Sequence, residues 1–498
     1  MSDHVTSDDL TSDVVDSDVV DSDVVDSDVV EGDDLTSEVT SDVVMAVTGW
    51  RCASCGAELP ISATLPFRCP NAGPDDPRHV LQIMSRRPEA AASTSTARHV
   101  STWTSASEPS GVRTQTFIDR DAQLAWAAHA ESHGMHRSER NRLVAELDAA
   151  VAAVDGVGFS ATPFERSAAL SDELGMNAEG GVWVKDETGG VGGSQKARFL
   201  FSILLHLRAA EELGLLTTRP PLAIASCGNA ALAAATLAKA ADWPIDVYVP
   251  TWMSDGFGDR LDQLGARVHR SHRRPTDPPG DPAMLRFRDA VAEGAVPFTV
   301  QGPENALCLD GGRTLGWEIC DQAAAAGVDG LDRLFVQVGG GAFAAAVGAA
   351  VTGSFSGSFS GSFSGAFSGA CGPVRLYAVQ TEGCAPFERA WRRAEGIERP
   401  AQRWAEMMTV WEDPESVADG ILDDETYDWV GVLGAVRASG GAPIVAAETA
   451  VMEAHHLAHH AGFDASPTGT AGLAGALTMR DEIAPDERIV VVMSGVTR

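Results

Sequence analysis

Lys185-Asp-Glu-Thr188-Gly-Gly-Val-Gly-Gly-Ser-Gln-Lys196-Ala-Arg198 joins a strand-like run, Gly181–Lys185, to a helix-like run bearing Phe199, Leu200, Ile203, Leu204 and Leu207. Four glycines loosen the join. Lys196 is one of only three lysines, with Lys185 and Lys239, in a chain that otherwise carries its positive charge on arginine. Arginine cannot lose its proton at ordinary pH. Lysine can when desolvated, and it then becomes a nucleophilic amine. A lysine at the end of a flexible glycine turn, just ahead of an apolar helix, points to amine chemistry, with Schiff-base formation on a carbonyl cofactor foremost.

The same strand–turn–helix unit recurs on either side. Ala223–Ala225 ends a strand before the helix Ala230–Ala241. Ile245–Val249 is a strand stopped by Pro250, Leu334–Val338 runs into Gly339, and Val374–Val379 and Arg488–Met493 are later strands. Short apolar strands alternating with helices predict an α/β fold whose parallel sheet is covered on both faces. In such sheets ligands bind beyond the carboxyl ends of the strands.

Two further turns stand at such ends. Val338-Gly339-Gly340-Gly341-Ala342-Phe343 lets backbone amides and a helix start face a phosphate without any basic side chain. It matches neither the spaced dinucleotide pattern nor a Walker loop, and tight helix–strand packing is its other reading. Ser226-Cys227-Gly228-Asn229 puts Asn229 where an N-cap stands. The same turn offers hydroxyl and amide donors to a carboxylate.

Composition narrows the partners. Of a net charge of −33, residues 1–42 supply −15 with no Lys or Arg, leaving an acidic body of −18. That balance argues against nucleic acid and against an anionic membrane surface. A basic start with an apolar segment after it, the mark of a secretory signal, is missing, and no run reads as a membrane span, so the expected location is cytoplasmic. Accordingly Cys227, Cys308, Cys320, Cys371 and Cys384, scattered along the chain, are expected to be reduced thiols. The pentad Asp-Ser-Asp-Val-Val recurs within residues 1–45, which read as a disordered acidic tail. A GSFS repeat at 353–369 reads as an expanded surface loop.

In order along the chain, KDETGGVGGSQKAR, SCGNAALAA, VGGGAF and the terminal VVVMSG resemble the landmarks of fold-type II pyridoxal-phosphate enzymes. This is the group of threonine synthase, threonine and serine dehydratases and tryptophan synthase β. Thr162-Pro163-Phe164, Gly312-Arg-Thr314 and Ser416-Val-Ala-Asp419-Gly420 add to the match, which spans roughly 158–498. Three positions depart from the relatives' pattern. Gln195 stands where an aromatic residue or histidine is usual, Ala342 replaces a fourth glycine, and Ala197-Arg198 follow the lysine where threonine synthases often carry aspartate.

The resemblance implies two parallel-sheet, three-layer domains of the tryptophan synthase β-like kind. The large one comprises 158–200 plus 305–498 and the small one 201–304, after a linker and helices at 86–157. It implies that Lys196 bonds the cofactor aldehyde and that Asn229 meets the ring hydroxyl. Gly339, Gly340 and Gly341 hold the phosphate, and Ser494 faces the pyridine nitrogen. Ser226, Cys227 and Gly228 line the substrate carboxylate site. The implied activity is a lyase using pyridoxal 5'-phosphate for elimination or replacement on a small hydroxy or O-phosphorylated amino acid, threonine synthase-like. A threonine/serine dehydratase and a non-catalytic amino-acid-binding relative are the alternatives. A homodimer is expected.

Some threonine synthases begin with a zinc-ribbon-like module, which residues 46–85 resemble. Cys52-x2-Cys55-Gly56 is a knuckle and Cys69-Pro70 starts a second, with Ala72 where its partner cysteine belongs. His79 completes a Cys3His set able to bind zinc, and a metal-free ribbon is the other reading. His129, His133 and His136, and again His455, His456, His459 and His460, have helical spacing and are expected on solvated helix faces.

Overall fold

Ile489, Val490, Val491, Val492 and Met493 are all buried in the last strand. A run that is apolar on both faces belongs inside a helix-covered parallel sheet, and a computed structural model places it there. The structure describes residues 46–73, 76–86, 116–278, 280–353 and 371–497, and these fall in one compact unit. The acidic repeat tail and the GSFS repeat beyond Gly353 lie outside the described residues.

In chain order the strands are β1 (Ala46–Cys52), β2 (Glu58–Pro60), β3 (Leu81–Arg86), β4 (Phe164–Ser167), β5 (Gly181–Asp186), β6 (Leu222–Ala225) and β7 (Ile245–Pro250). They continue with β8 (Arg267–Ser271), β9 (Val296–Pro297), β10 (Arg333–Gln337), β11 (Arg375–Thr381), β12 (Ala442–Ala446) and β13 (Arg488–Met493). The main sheet has the order β12-β11-β10-β13-β5-β4 and is parallel except for the edge pair β4–β5. A second, parallel sheet has the order β8-β7-β6-β9, and the N-terminal strands form an antiparallel sheet β2-β1-β3. Together they give the α/β architecture with tryptophan synthase β-like sheets.

Close helix packing positions the cavity. The helix Leu307–Ala325 lies against the helix Lys196–Glu212 so tightly that a methyl group on Gly311 would overlap the Arg198 carbonyl oxygen. Among the described residues no helix is long and apolar enough to cross a membrane.

Two sequence expectations are corrected. Cys320 and Cys371 are not separate thiols: they form a disulfide with a Cα–Cα separation of 4.7 Å. Fifty-one positions separate them along the chain. Only the packing of the Leu307–Ala325 helix beside the approach to β11 brings them together. Cys227, Cys308 and Cys384 are thiols, as expected. His129 is buried rather than solvated. Its ring lies 4.4 Å from that of His206 and 4.7 Å from that of His133. The imidazoles of His129, His206 and His133 bond the carbonyls of Ile61, Thr64 and Ser62 respectively, at 2.9, 2.6 and 3.0 Å, so they hold the N-terminal segment to the body. His455, His456, His459 and His460 do lie on a half- to fully exposed face.

Burial, with His129 nearby, pushes the His206 imidazole down to about 3 from 6.5. The folded protein keeps this ring neutral while the unfolded chain protonates it near 6.5. Its contribution is therefore complete above pH 6.5 and is lost as pH falls toward 3, at about 1.4 kcal/mol per pH unit. Urea unfolding measured from pH 7 to pH 5 is expected to show this slope in the wild type and a flatter one in His206→Gln. Equal slopes would contradict the assignment.

Candidate active site

Three turns meet at the carboxyl ends of the strands. The Lys196 turn is stitched to the end of β13: the Glu187 amide donates to the Met493 carbonyl at 2.9 Å, and Gln195 to that of Ser494 at 3.1 Å. Val496 donates back to Gly193 at 2.9 Å, and Ser194 pairs with Gly495. Gly495 has to be small, because a Cβ there would stand 2.7 Å from that of Ser194 and 3.0 Å from Asn229 Nδ2. Asn229 Nδ2 donates to the Val496 carbonyl at 3.2 Å, which ties the second turn to the same place. The third turn, after β10, takes a positive φ of 94° at Gly341 to enter the helix Ala342–Thr352.

The result is one cavity of about 290 Å³. Lys196, Ser226, Cys227, Gly228, Asn229, Gly339, Gly340, Gly341 and Ser494 all line it. Its wall also holds residues that the sequence did not single out, among them Ser194, Gln301, Gln337, Thr468 and Asp423. Gln337 carried one readable signal, a polar side chain directly after the apolar run Leu334–Val336. Asp423 carried none, since it sits in the acidic run Asp423-Asp424-Glu425.

The Gly340 amide donates to the Asp423 carboxylate, and a Cβ on Gly339 would come within 2.5 Å of Asp423 Oδ2. Burial pushes Asp423 up to about 6, although Lys196 and that amide pull it down. Lys196 is the one cationic side chain among the described residues of the wall, which also carries Asp419 and Asp423.

Behind the turn lies a buried ionic cluster. Arg198, two residues after Lys196, reaches Glu187 at 2.8 and 3.0 Å and Glu318 at 2.7 and 2.8 Å. Lys185 Nζ donates to Glu318 at 2.8 Å, to Gln322 at 2.7 Å and to the Thr162 carbonyl at 2.9 Å. Thr162 also hydrogen-bonds Glu187. Burial alone would raise the Glu318 carboxyl, but Arg198 and Lys185 hold it at about 2.

Apart from this cavity, Cys52, Cys55, Cys69 and His79 present their ligand atoms within 4.8 Å of one another. Cys52 Sγ is 3.4 Å from His79 Nδ1, and Cys55 Sγ is 3.5 Å from Cys69 Sγ. His79 Nε2 turns to Asp76 at 3.2 Å.

The family of pyridoxal-phosphate dependent enzymes matches this chain over residues 157–495. The chain belongs to that family. A threonine synthase of Methanosarcina acetivorans is 25% identical over 338 residues, covering 67% of this chain and 74% of that protein. Among solved structures, a threonine deaminase of T.th. superposes with a TM-score of 0.52 at 22% identity, over 71% of this chain and 98% of its own. Maize serine racemase gives 0.51 at 18%, over 71% and 92%. An L-serine ammonia-lyase from Rhizomucor miehei gives 0.51 at 18%, over 68% and 94%. At these identities the structural likeness speaks for the fold.

For a pyridoxal-phosphate-dependent enzyme the fit can be tested on the cavity itself. It offers an amine, a glycine turn opening a helix, and the Ser494 hydroxyl. The Ser194 hydroxyl is also there, buried and without a hydrogen-bond partner among the described residues. These groups suit a polar ligand with an aldehyde, a ring nitrogen and an anionic tail. Arg198→Met leaves two buried carboxylates, Glu187 and Glu318, with Lys185 as the one cation of the cluster, so a loss of about 3–5 kcal/mol is expected in chemical denaturation. Arg198→Lys should recover only part of it, for want of the planar fork. A loss below about 1 kcal/mol for Arg198→Met would show that the cluster is not a brace.

Proposed function

We propose that the chain is a lyase that eliminates water from a small, uncharged hydroxy amino acid, of the threonine/serine dehydratase kind, with pyridoxal 5'-phosphate held on Lys196. The observation that carries this reading is the charge of the cavity wall. A cofactor phosphate and a substrate carboxylate can be met by amides at two helix starts. A second phosphate, on an O-phosphorylated substrate, would face Asp419 and Asp423 with no arginine, histidine or second lysine among the described lining residues. Desolvating that charge without a partner is costly. The hydroxy amino acid is therefore favoured over the phosphorylated one, and elimination over the threonine synthase-like reaction.

The residues divide the work between cofactor and substrate. Asn229 would meet the ring hydroxyl, the turn Gly339–Gly341 would hold the phosphate and Ser494 would face the ring nitrogen. When bound, the cofactor supplies a carbonyl for amines and a conjugated ring that draws electron density from Cα. The turn Ser226–Gly228, at the start of the helix Asn229–Ala240, receives the substrate carboxylate. Ser226 Oγ already accepts from the Gly228 amide at 3.2 Å, so its hydroxyl proton is left to donate. With the cofactor and substrate bound, Lys196 Nζ would serve as the base that takes the Cα proton. It would return that proton to the departing β-hydroxyl, which would leave as water. The phosphate seat carries a condition of its own: the Gly340 amide is held by Asp423, so a phosphate must displace that carboxylate or find it protonated.

Purified protein reconstituted with the cofactor is expected to absorb visible light, with borohydride fixing the cofactor on Lys196 and Lys196→Ala losing both signals. Serine or threonine should release keto acid and ammonia, whereas O-phosphorylated amino acids should release little phosphate. Phosphate release exceeding keto-acid release would turn the assignment to the phosphorylated substrate. A colourless wild type would overturn it altogether.

For the N-terminal segment we propose a bound zinc ion. Three thiols and one imidazole suit tetrahedral zinc, with Zn–S near 2.3 Å. The Asp76 contact at His79 Nε2 leaves Nδ1 to face the metal. Elemental analysis should find about one zinc per chain. Its removal by chelator should lower the melting temperature while sparing visible absorption. Metal-free protein with an unchanged melting temperature after chelator would refute the site.

A further inference from the structure

Gln337 closes β10 and is 3% exposed. Its Nε2 lies 2.7 Å from Ser494 Oγ and also faces three carbonyl oxygens, of Gly469 at 3.0 Å, Thr468 at 3.2 Å and Val492 at 3.3 Å. Turning the amide over would set its oxygen against all three, so this ring of acceptors fixes the nitrogen toward them. An amide nitrogen only donates. Ser494 Oγ therefore accepts, and its own proton must point elsewhere.

The backbone around Ser494 is pinned as well. Its amide donates to the Gly469 carbonyl and its carbonyl accepts from Gln195, both at 3.1 Å. Rotation of the hydroxyl is the remaining freedom, and Ser494 lines the cavity that holds Lys196. A serine left to itself can offer either a lone pair or a proton to a ring nitrogen. Accepting from Gln337 takes up one of its two lone pairs and turns its proton away from the amide.

We propose that Gln337 is a positioning residue: it holds the Ser494 hydroxyl as a donor into the cavity and so keeps the ring nitrogen of the bound cofactor unprotonated. This rests on the reading that pyridoxal phosphate binds at Lys196 with its ring nitrogen at Ser494. A pyridinium N–H would confront the hydroxyl proton, donor against donor. An unprotonated ring withdraws electrons less strongly. The site then favours prompt expulsion of a β-leaving group over long-lived carbanion chemistry.

The test uses holoprotein loaded with cofactor carrying ¹⁵N in the ring, and reads the nitrogen chemical shift against pH in the wild type, Gln337→Met and Gln337→Glu. The wild type is expected to show the unprotonated shift at neutral pH. Gln337→Met releases the hydroxyl, and the protonated-to-unprotonated ratio should rise about tenfold, one pH unit in the midpoint. In Gln337→Glu any carboxyl proton turns to the three carbonyls, the other oxygen accepts from Ser494, and the ring should be protonated at neutral pH. Ser494→Ala should lose the donor signature, and adding Gln337→Met to it should change nothing more; if Gln337→Met does not fold, the near-isosteric Gln337→Glu decides, and a wild-type shift in it overturns the inference. One common shift in every variant, with the cofactor still fixed on Lys196 by borohydride, overturns this inference alone. No attachment in the wild type overturns the reading of the site and this inference with it.

Discussion

The guanidinium of Arg198 holds three parts of the molecule in one grip. It joins the first turn of the Lys196 helix to Glu187, just past β5, and to Glu318 on the Leu307–Ala325 helix. Both carboxylates are buried, and so is Lys185, which shares Glu318. The two positive and two negative side chains balance. Balance matters because an unpaired charge at such depth costs several kcal/mol, whereas a complete set roughly offsets its own desolvation. The cluster therefore works less as a source of stability than as a device that allows one arrangement. If Arg198 shifted, the helix carrying Lys196 would shift with it. The overlap that a Gly311 side chain would make with the Arg198 carbonyl shows how little room there is for another register.

That brace bears on how much could be read from the sequence. The strand–turn–helix units were legible because their signals are local. β13 is apolar from Ile489 to Met493, β10 is followed by three glycines, and the Lys196 turn is flanked by a strand and an apolar helix. The nine residues expected around cofactor and substrate all came to one cavity because each sits at a strand end, where topology gathers them. What the sequence hid were pairings made across the fold. Nothing near Cys320 announces Cys371. Nothing in the spacing of His129, His133 and His136 announces His206, which approaches from another helix and turns an exposed-looking face into a buried one. Asp423 looked like one more acid in an acidic chain. Arg198 looked like a departure from a familiar pattern, and only the packed structure shows what it does.

The relatives among solved structures include a deaminase, a racemase and an ammonia-lyase. One scaffold thus hosts several reaction outcomes. If the cofactor binds as proposed, discrimination would lie in the wall: which charges face the guest, and how strongly the ring nitrogen could be charged. In this chain both features tend the same way. The wall carries more acid than base, and the amide at the end of β10 orients a hydroxyl rather than presenting a carboxylate.

Asp423 gives the glycine turn a resident anion. A backbone amide turned into a cavity is a strong donor that rarely stays unmatched, and the chain meets this need with its own side chain. Any phosphate-bearing guest must therefore win a competition, and its apparent affinity is a difference between two anions rather than the strength of one. The resident weakens as it gains a proton, while the incoming dianion does so over a similar range of acidity. If the turn seats a phosphate as proposed, occupancy of the pocket would be linked to the proton activity around it through both anions.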